Sequence, residues 1–278
     1  MSEHAGHREP GASRARKAMP ESGRRSDSSP RSGESQLSPD SLLPELERRF
    51  VVQPLELSAL GRELELIAPR SAEDLLNEED FERDERLPYW ADLWPSSYAL
   101  ADRVVSEDGR AGGSALRLLE LGCGLGLVTI AALTAGFDVL ATDYYADALL
   151  FTRANAWRVL GIDPEVRMVD WRDLPANLGR FDRVVAADVL YEQRYAAIVA
   201  DTIARTLARS GMAIVADPRR TALPEFIREC EKRGLAVSSV ESWRYAEGEV
   251  RQTILVHELI WSDAADERPR HDTGARLE

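Results

Sequence analysis

The stretch that decides the fold is Leu116–Ala135, LRLLELGCGLGLVTIAALTA. Leu116, Leu118, Leu119 and Leu121 form a short apolar run that stops at Gly122-Cys123-Gly124-Leu125-Gly126. Beyond it, apolar residues return at helical spacing through Leu127, Ile130, Ala131 and Leu133. That change of period predicts a buried strand, a tight loop and a helix start. Glycines tolerate positive φ and let backbone N–H groups approach a ligand, while a helix N-terminus presents about half a positive charge toward it. Such a loop suits a polar ligand.

The third glycine narrows the ligand. A dinucleotide fingerprint, G-x-G-x-x-G, needs glycine at 127, but that position is Leu127 and the spacing is G-x-G-x-G, which disfavours a pyrophosphate. Phe137–Thr142 reads as a second strand ending at Asp143, 21 residues beyond Gly122, where nucleotide-binding βαβ units place a carboxylate that accepts both ribose hydroxyls. NAD and S-adenosylmethionine share that ribose, so Asp143 alone does not separate them. A third strand, Val166–Val169, ends at Asp170-Trp171. An acidic residue followed by an indole suits an adenine, the carboxylate accepting the exocyclic amine and the ring offering an apolar edge; an exposed Asp beside a core Trp is the alternative.

Outward from these motifs the chain alternates. A helix over Ala146–Leu160 precedes the third strand. Phe181–Ala187 is a fourth strand running into Asp188-Val189-Leu190-Tyr191, followed by a helix (Ala196–Ala208), a strand (Gly211–Ala216) and a helix (Leu223–Arg233). Strict alternation implies parallel strands with helices on both faces. Strands Val237–Trp243 and Thr253–Trp261 follow without a helix and flank an Ala246-Glu247-Gly248 turn, so they predict a C-terminal antiparallel hairpin. The predicted fold is α/β: a Rossmann-like, seven-stranded, mostly parallel sheet.

Upstream, residues 1–40 are rich in Ser, Arg, Pro, Gly and Glu and lack periodicity, which predicts a disordered tail. Residues 41–98 read as an N-terminal extension, with short strands at Phe50–Leu57 and Leu64–Ile67 around Leu60-Gly61-Arg62. Tyr89, Trp90 and Trp94 cluster just before a helix starting at Ser96 or Ser97, as either a core plug or a pocket wall. The main domain is then 99–261, and 262–278 a disordered tail. Glu73–Glu85 is a dense acidic run.

Composition bounds the partners. The 278 residues are 44% hydrophobic yet hold no apolar run long enough to span a bilayer and no signal-peptide pattern, so a cytoplasmic protein without a membrane partner is expected. Cys123 and Cys230 are the only cysteines, and the histidines (4, 7, 257, 271) form no ligand cluster, so neither a metal nor a disulfide is expected; Cys123 reads as a small buried residue rather than a nucleophile. The net charge of -13 argues against nucleic acid and favours a basic partner, although acidic surfaces also serve solubility.

The combination LPYWADLWPSS (87–97), ELGCGLG (120–126), ATDYY (141–145), VDWRD (169–173) and DVLYE (188–192) resembles class I, seven-β-strand S-adenosylmethionine-dependent methyltransferases. Within them it is similar to the protein-lysine N-methyltransferases that carry a D-x-x-Y motif after the fourth strand, and the likeness covers about residues 50–261. The resemblance implies S-adenosylmethionine as cofactor, with Glu120 at its aminoacyl end. The rest of the cofactor set is Trp94, Gly122, Cys123, Gly124, Gly126, Asp143, Tyr144, Asp170, Trp171 and Asp188. It also implies Asp188 and Tyr191 as the motif between cofactor and substrate, with Trp94 packing over the cofactor. A basic protein is the implied acceptor, and the chain is taken as a monomer. Enzymes with small-molecule N- or O-acceptors share much of this pattern, so the acceptor stays open. A nicotinamide oxidoreductase is disfavoured by Leu127 and by the lack of a second substrate domain, and an inactive binding module by the retained Glu120, Asp143, Asp188 and Tyr191.

Chemistry constrains the roles. Displacement at a sulfonium chiefly needs alignment, which contributes up to ~7–11 kcal/mol. A lysine acceptor must lose a proton, at a cost of roughly 4–5 kcal/mol at neutral pH, and a bare carboxylate beside it raises that cost. Asp188 is therefore read as an orienting group and Tyr191 as a hydrogen-bonding wall.

Overall fold

The computed structural model of the chain describes residues 37–71, 75 and 88–265. Helix α1 (Pro39–Arg49) and the hairpin β1 (Val52–Ala59) and β2 (Arg62–Pro69) come first, then a 3-10 turn at Tyr89–Ala91 and helix α2 (Pro95–Val105). A two-residue ribbon, β3 (Arg110–Ala111) and β4 (Ser114–Ala115), leads into β5 (Arg117–Leu121), α3 (Leu127–Ala135), β6 (Asp138–Asp143), α4 (Ala146–Leu160) and β7 (Glu165–Met168). The chain continues through β8 (Phe181–Ala187), α5 (Tyr195–Thr206), β9 (Leu207–Asp217), α6 (Leu223–Lys232), β10 (Leu235–Glu247) and β11 (Val250–Trp261).

Seven strands form one sheet in the order β10-β11-β9-β8-β5-β6-β7. The pairs β8–β9, β5–β8, β5–β6 and β6–β7 are parallel, and β11 runs antiparallel to both its neighbours. This is the predicted mostly parallel sheet with its C-terminal antiparallel hairpin. Helices cover both faces: Leu119, Leu121 and Val184 pack toward Val199 of α5 and Phe226 of α6, while Leu118 and Val185 pack toward Leu100 of α2 and Ile130 of α3. Burial on both sides explains why β5 reads as a nearly continuous apolar run. The chain turns to opposite sides of β5 to reach β6 and β8, and in such sheets ligands bind in the crevice beyond the carboxyl ends of the strands at that switch.

The N-terminal extension packs over α4. Leu60 and Gly61 both take left-handed φ, 55° and 70°, giving the tight turn that matches the twist of β1 and β2, and the two strands form their own sheet as expected. Helix α1 is not among the predicted elements. Pro39 and Pro44 and a charged composition mask it, yet Pro39 sits in the first turn, where a missing N–H costs nothing, and Leu42 and Leu46 bury against Phe151 of α4. Its first residues overlap the segment read as a tail, and the 98/99 boundary falls inside α2.

Further boundaries differ from the sequence reading: the hairpin strands run to Glu247 and from Val250, so Ala246 and Glu247 pair with Arg251 and Val250 and do not form the turn. Helix α5 stops at Thr206 rather than Ala208, because Leu207 pairs with Phe181 and starts β9 four residues before Gly211, with a register shift ahead of Arg183. Ser262–Ala265 forms one helical turn at the start of the segment read as a tail. The acidic side chains of Glu73–Glu85 and residues 1–36 and 266–278 lie outside the described residues.

Asn155 joins extension to domain. Its Oδ1 accepts the Ile67 N–H at 2.7 Å, and its Nδ2 donates to the Ile67 carbonyl at 3.0 Å and the Leu125 carbonyl at 2.9 Å, all buried. Asn155→Ala orphans three buried backbone groups, and we expect it to cost about 2–4 kcal/mol in chemical denaturation. A loss below ~0.5 kcal/mol, the level of an ordinary surface substitution, would mean that β2 is held by apolar contacts alone.

Candidate functional site

The glycine loop is fixed by the end of β6. Gly122 and Cys123 donate their N–H groups to the Thr142 carbonyl at 2.9 and 3.0 Å. The next residue, Asp143, accepts the Gly124 N–H on Oδ2 at 3.1 Å and the Tyr145 N–H on Oδ1 at 3.0 Å. The Thr152 hydroxyl of α4 donates to the Gly124 carbonyl at 2.9 Å. Two positions require glycine. At Gly126 (φ 86°) a Cβ would lie 3.0 Å from the Thr152 Cα, and at Gly124 (φ 52°) one would lie 3.2 Å from the Trp90 carbonyl oxygen.

Glu120, one residue before the end of β5, is buried and accepts a hydrogen bond from the Thr129 hydroxyl of α3. Burial pushes its pKa up to about 8; the Thr129 bond opposes this and the charge of Asp143 adds to it. Burial also raises Asp143, partly offset by the N–H groups of Tyr145, Gly124 and Tyr144. Burial holds the Cys123 thiol well above its ordinary range, so it is a small packing residue and not a thiolate, as its setting in the sequence implies.

A cavity of about 370 Å³ opens beyond the carboxyl ends of β5, β6 and β8. Trp94, Glu120, Gly122, Cys123, Gly124, Asp143, Tyr144, Asp170, Trp171, Asp188 and Tyr191 all line it. Gly126 does not; it stands behind the loop as the N-cap of α3 and acts by letting the loop pass α4. Asp170 faces the cavity with its carboxylate already engaged by Arg172, through Nη2 at 2.7 Å and Nε at 2.9 Å, so any adenine amine shares it with that guanidinium. The Trp171 indole passes against Gly122, 3.6 Å from where its Cβ would be, and its buried Nε1 has no partner among the described residues.

The cluster Tyr89-Trp90-Trp94 divides between both readings. Trp90 serves as both, its ring packed 5.6 Å from the Phe151 ring centroid in the core while the residue also lines the cavity, whereas Tyr89 and Trp94 are cavity wall. Trp94 donates Nε1–H to the Tyr89 carbonyl at 2.9 Å, and its ring stands edge-on to Tyr89. Aromatic contact continues from Tyr89 to Tyr191 (5.2 Å) and from Tyr191 to Tyr195 (4.9 Å).

Asp188 follows β8 with φ 56°, a left-handed conformation that aspartate tolerates, and its N–H bonds the Ala216 carbonyl of β9 at 2.9 Å. Its carboxylate accepts the Arg220 Nε–H at 2.7 Å. Arg220, in the loop after β9, escapes the sequence reading; its position just past the carboxyl end of a parallel strand is the one signal that points to it. Tyr195 and Arg172 are further lining residues without a sequence signal.

The donor set fits S-adenosylmethionine. Two buried carboxyls face one cavity and, among the described residues, neither is paired with a cation, which suits a ligand carrying an ammonium group and vicinal hydroxyls. The indole and acidic residue beyond β7 suit its adenine.

The chain is similar to several known proteins. The electron transfer flavoprotein beta subunit lysine methyltransferase of Xenopus laevis is 28% identical over 138 residues, which are 48% of this chain and 53% of that protein. The protein-lysine methyltransferase METTL21E of Mus musculus is 30% identical over 112 residues, 37% of this chain and 46% of that protein. The chain thus spans about half the length of these relatives. A putative SAM-dependent methyltransferase from Streptococcus mutans shares the fold, with a TM-score of 0.53 and 10% identity over 74% of this chain and 55% of that one. A family model described as lysine methyltransferase matches residues 80–233, a span that includes Trp94, the glycine loop, Asp143, Asp188 and Tyr191, and this protein belongs to that family.

Proposed function

We propose that this chain transfers a methyl group from S-adenosylmethionine to a lysine side-chain amine on a basic protein surface. The observation that carries the reading is one cavity with two buried carboxyls at its β5–β6 end and an aromatic wall beside Asp188 at its β8–β9 end. When bound, S-adenosylmethionine supplies a methyl group on a sulfonium, open to direct displacement by a nucleophile. The protein's part is alignment. Glu120 takes the ammonium of the aminoacyl end, Asp143 the ribose hydroxyls, and Trp171 with Asp170 the adenine. Tyr191, Tyr89 and Trp94 flank the incoming amine and exclude water, and Asp188 orients it. The acceptor proton goes to solvent, since neither Asp188 nor Tyr191 needs to act as a strong base once the amine is neutral.

The net charge of -13 supports a basic protein acceptor over nucleic acid. Among the described residues no helix is long and apolar enough to cross a membrane. We take the protein to work as a cytoplasmic monomer without a membrane partner, a reading that rests on composition.

Asp143→Ala removes a charge-assisted bidentate contact and should weaken S-adenosylmethionine binding by roughly 2–3 kcal/mol in calorimetry. Unchanged affinity in a folded Asp143→Ala protein would assign the carboxylate to loop support alone.

Binding should also be linked to pH through Glu120. The free protein keeps this carboxyl protonated up to about pH 8, and a bound ammonium favours the ionised form, so binding releases a proton below that pH. Affinity should therefore rise from neutral pH toward about 8 and fall beyond it as the ligand's own α-ammonium, with an ordinary pKa of about 8, loses its proton, and the binding enthalpy should depend on buffer ionisation. Glu120→Gln should lose that slope; a slope that survives the substitution belongs to another group.

Incubation of the protein with labelled S-adenosylmethionine and a cell lysate should place label on lysine in protein, with the initial rate falling as salt shortens the Debye length to ~8 Å. Label confined to small molecules would overturn the lysine assignment.

A further inference from the structure

The loop after β9 reaches back across the cavity to the two motifs that the sequence singles out. Arg220 donates Nε–H to Asp188 Oδ1 at 2.7 Å, and its guanidinium carbon lies 5.6 Å from the centre of the Trp94 ring. Trp94 in turn bonds the Tyr89 carbonyl, and Tyr89 packs on Tyr191. One chain of contacts, from Asp188 through Arg220, Trp94 and Tyr89 to Tyr191, thus borders the cavity. The Asp188 side chain is 4% exposed and that of Arg220 33%, so the carboxylate is covered and the guanidinium faces the opening.

The arginine is held as firmly as the carboxylate. Asp217, the last residue of β9, accepts the Arg220 N–H on Oδ1 at 2.7 Å. Its own Oδ2 is buried without a partner among the described residues. Between them Arg219 takes φ 70°, an uncommon conformation for a residue with a long side chain. A turn that keeps a buried carboxyl and a left-handed arginine in order to present Arg220 meets a stringent requirement at the cavity.

We infer that Arg220 is a positioning residue for methyl transfer: it acts as the counter-ion of Asp188, so that the acceptor amine meets a neutral pair instead of a bare carboxylate. The inference rests on the lysine-amine reading above. A lone Asp188 would hold the acceptor as ammonium, which has no lone pair with which to attack; pairing with Arg220 removes that hold while leaving carboxylate oxygen available for orientation. The other titratable groups facing this end are Asp217 behind Arg220, Tyr89 and Asp92 in and just after the 3-10 turn, Tyr191 and Glu192 after β8, and Tyr195 of α5 packed on Tyr191. Glu192 is paired with Arg194 and Asp217 is turned into the loop, which leaves Arg220 as the cation nearest Asp188 among the described residues.

The test combines kinetics with a signal that needs no acceptor. Because kcat at saturating acceptor reports ionisations in the bound complex, the ascending limb of its pH profile should move up by about one unit in Arg220→Gln, roughly tenfold lower kcat at neutral pH with near recovery at high pH. Arg220→Lys keeps the charge but not the planar fork, and should restore most of the limb position. In the wild-type protein, the Arg220 Nε–H resonance, identified by its loss in Arg220→Gln, should exchange slowly and shift in Asp188→Asn. A uniform drop in kcat with an unmoved limb would make Arg220 merely structural, and a resonance indifferent to Asp188→Asn would remove the pair; either overturns the inference while an active wild type leaves the functional reading standing. A wild-type protein that binds S-adenosylmethionine yet methylates no lysine overturns that reading, and this inference with it.

Discussion

Everything at this site depends on keeping two carboxyls, Glu120 and Asp143, buried at the ends of adjacent strands. An uncompensated buried carboxylate is costly, and the chain offsets the cost unequally. Asp143 is satisfied by backbone N–H groups on both sides of it, from Gly124 and Tyr145, so the ionised form is supported and the glycine loop is hung from β6. Glu120 has one hydroxyl, from Thr129, and burial pushes it up to about 8. The result is a carboxyl held toward its protonated form at the β5–β6 end of the cavity. A cationic ligand can displace that proton and recover the interaction that the empty protein lacks.

That arrangement explains why so much of the site was legible in the sequence. A loop suspended from a neighbouring strand must approach closely, and close approach forces glycine at 124 and 126, whose spacing is the clearest local signal in the chain. Strands buried on both faces announce themselves as mostly apolar runs, so β5, β6 and β8 were recoverable with the residues at their ends. What was not legible depends on tertiary contact. Helix α1 carries two prolines and many charges, and becomes helical against α4 through Leu42 and Leu46. The first residues of β9 continue the composition of α5 but are claimed by pairing with Phe181. Arg220 belongs to no periodic pattern, and its importance comes from Asp188, 32 residues away, which no local reading connects to it.

Asp170 teaches a narrower lesson about spacing. An acidic residue ahead of an indole at a strand end is a reasonable adenine partner, yet the carboxylate is already shared by the guanidinium of Arg172 two residues on. Both residues line the cavity, but the chemistry of that wall depends on a side chain whose direction the sequence does not encode. Trp171 is better defined: its indole lies against Gly122 and so ties the end of β7 to the glycine loop, where a φ of 75° favours glycine.

Strand order divides the labour. The chain reaches β6 and β7 on one side of β5 and β8 and β9 on the other, so residues at strand ends are sorted by side before any chemistry is considered. Glu120, Asp143, Asp170 and Trp171 come from β5, β6 and β7, and Asp188 and Arg220 come from β8 and β9. The first group concentrates acceptors and lacks a cation close to its two buried carboxyls among the described residues; the second balances carboxylate against guanidinium. A cavity built across the switch therefore has unlike ends, one lined by two buried carboxyls and the other by a carboxylate paired with a guanidinium. A parallel sheet with a single reversal of direction brings both kinds of end into one cavity, on opposite sides of its central strand.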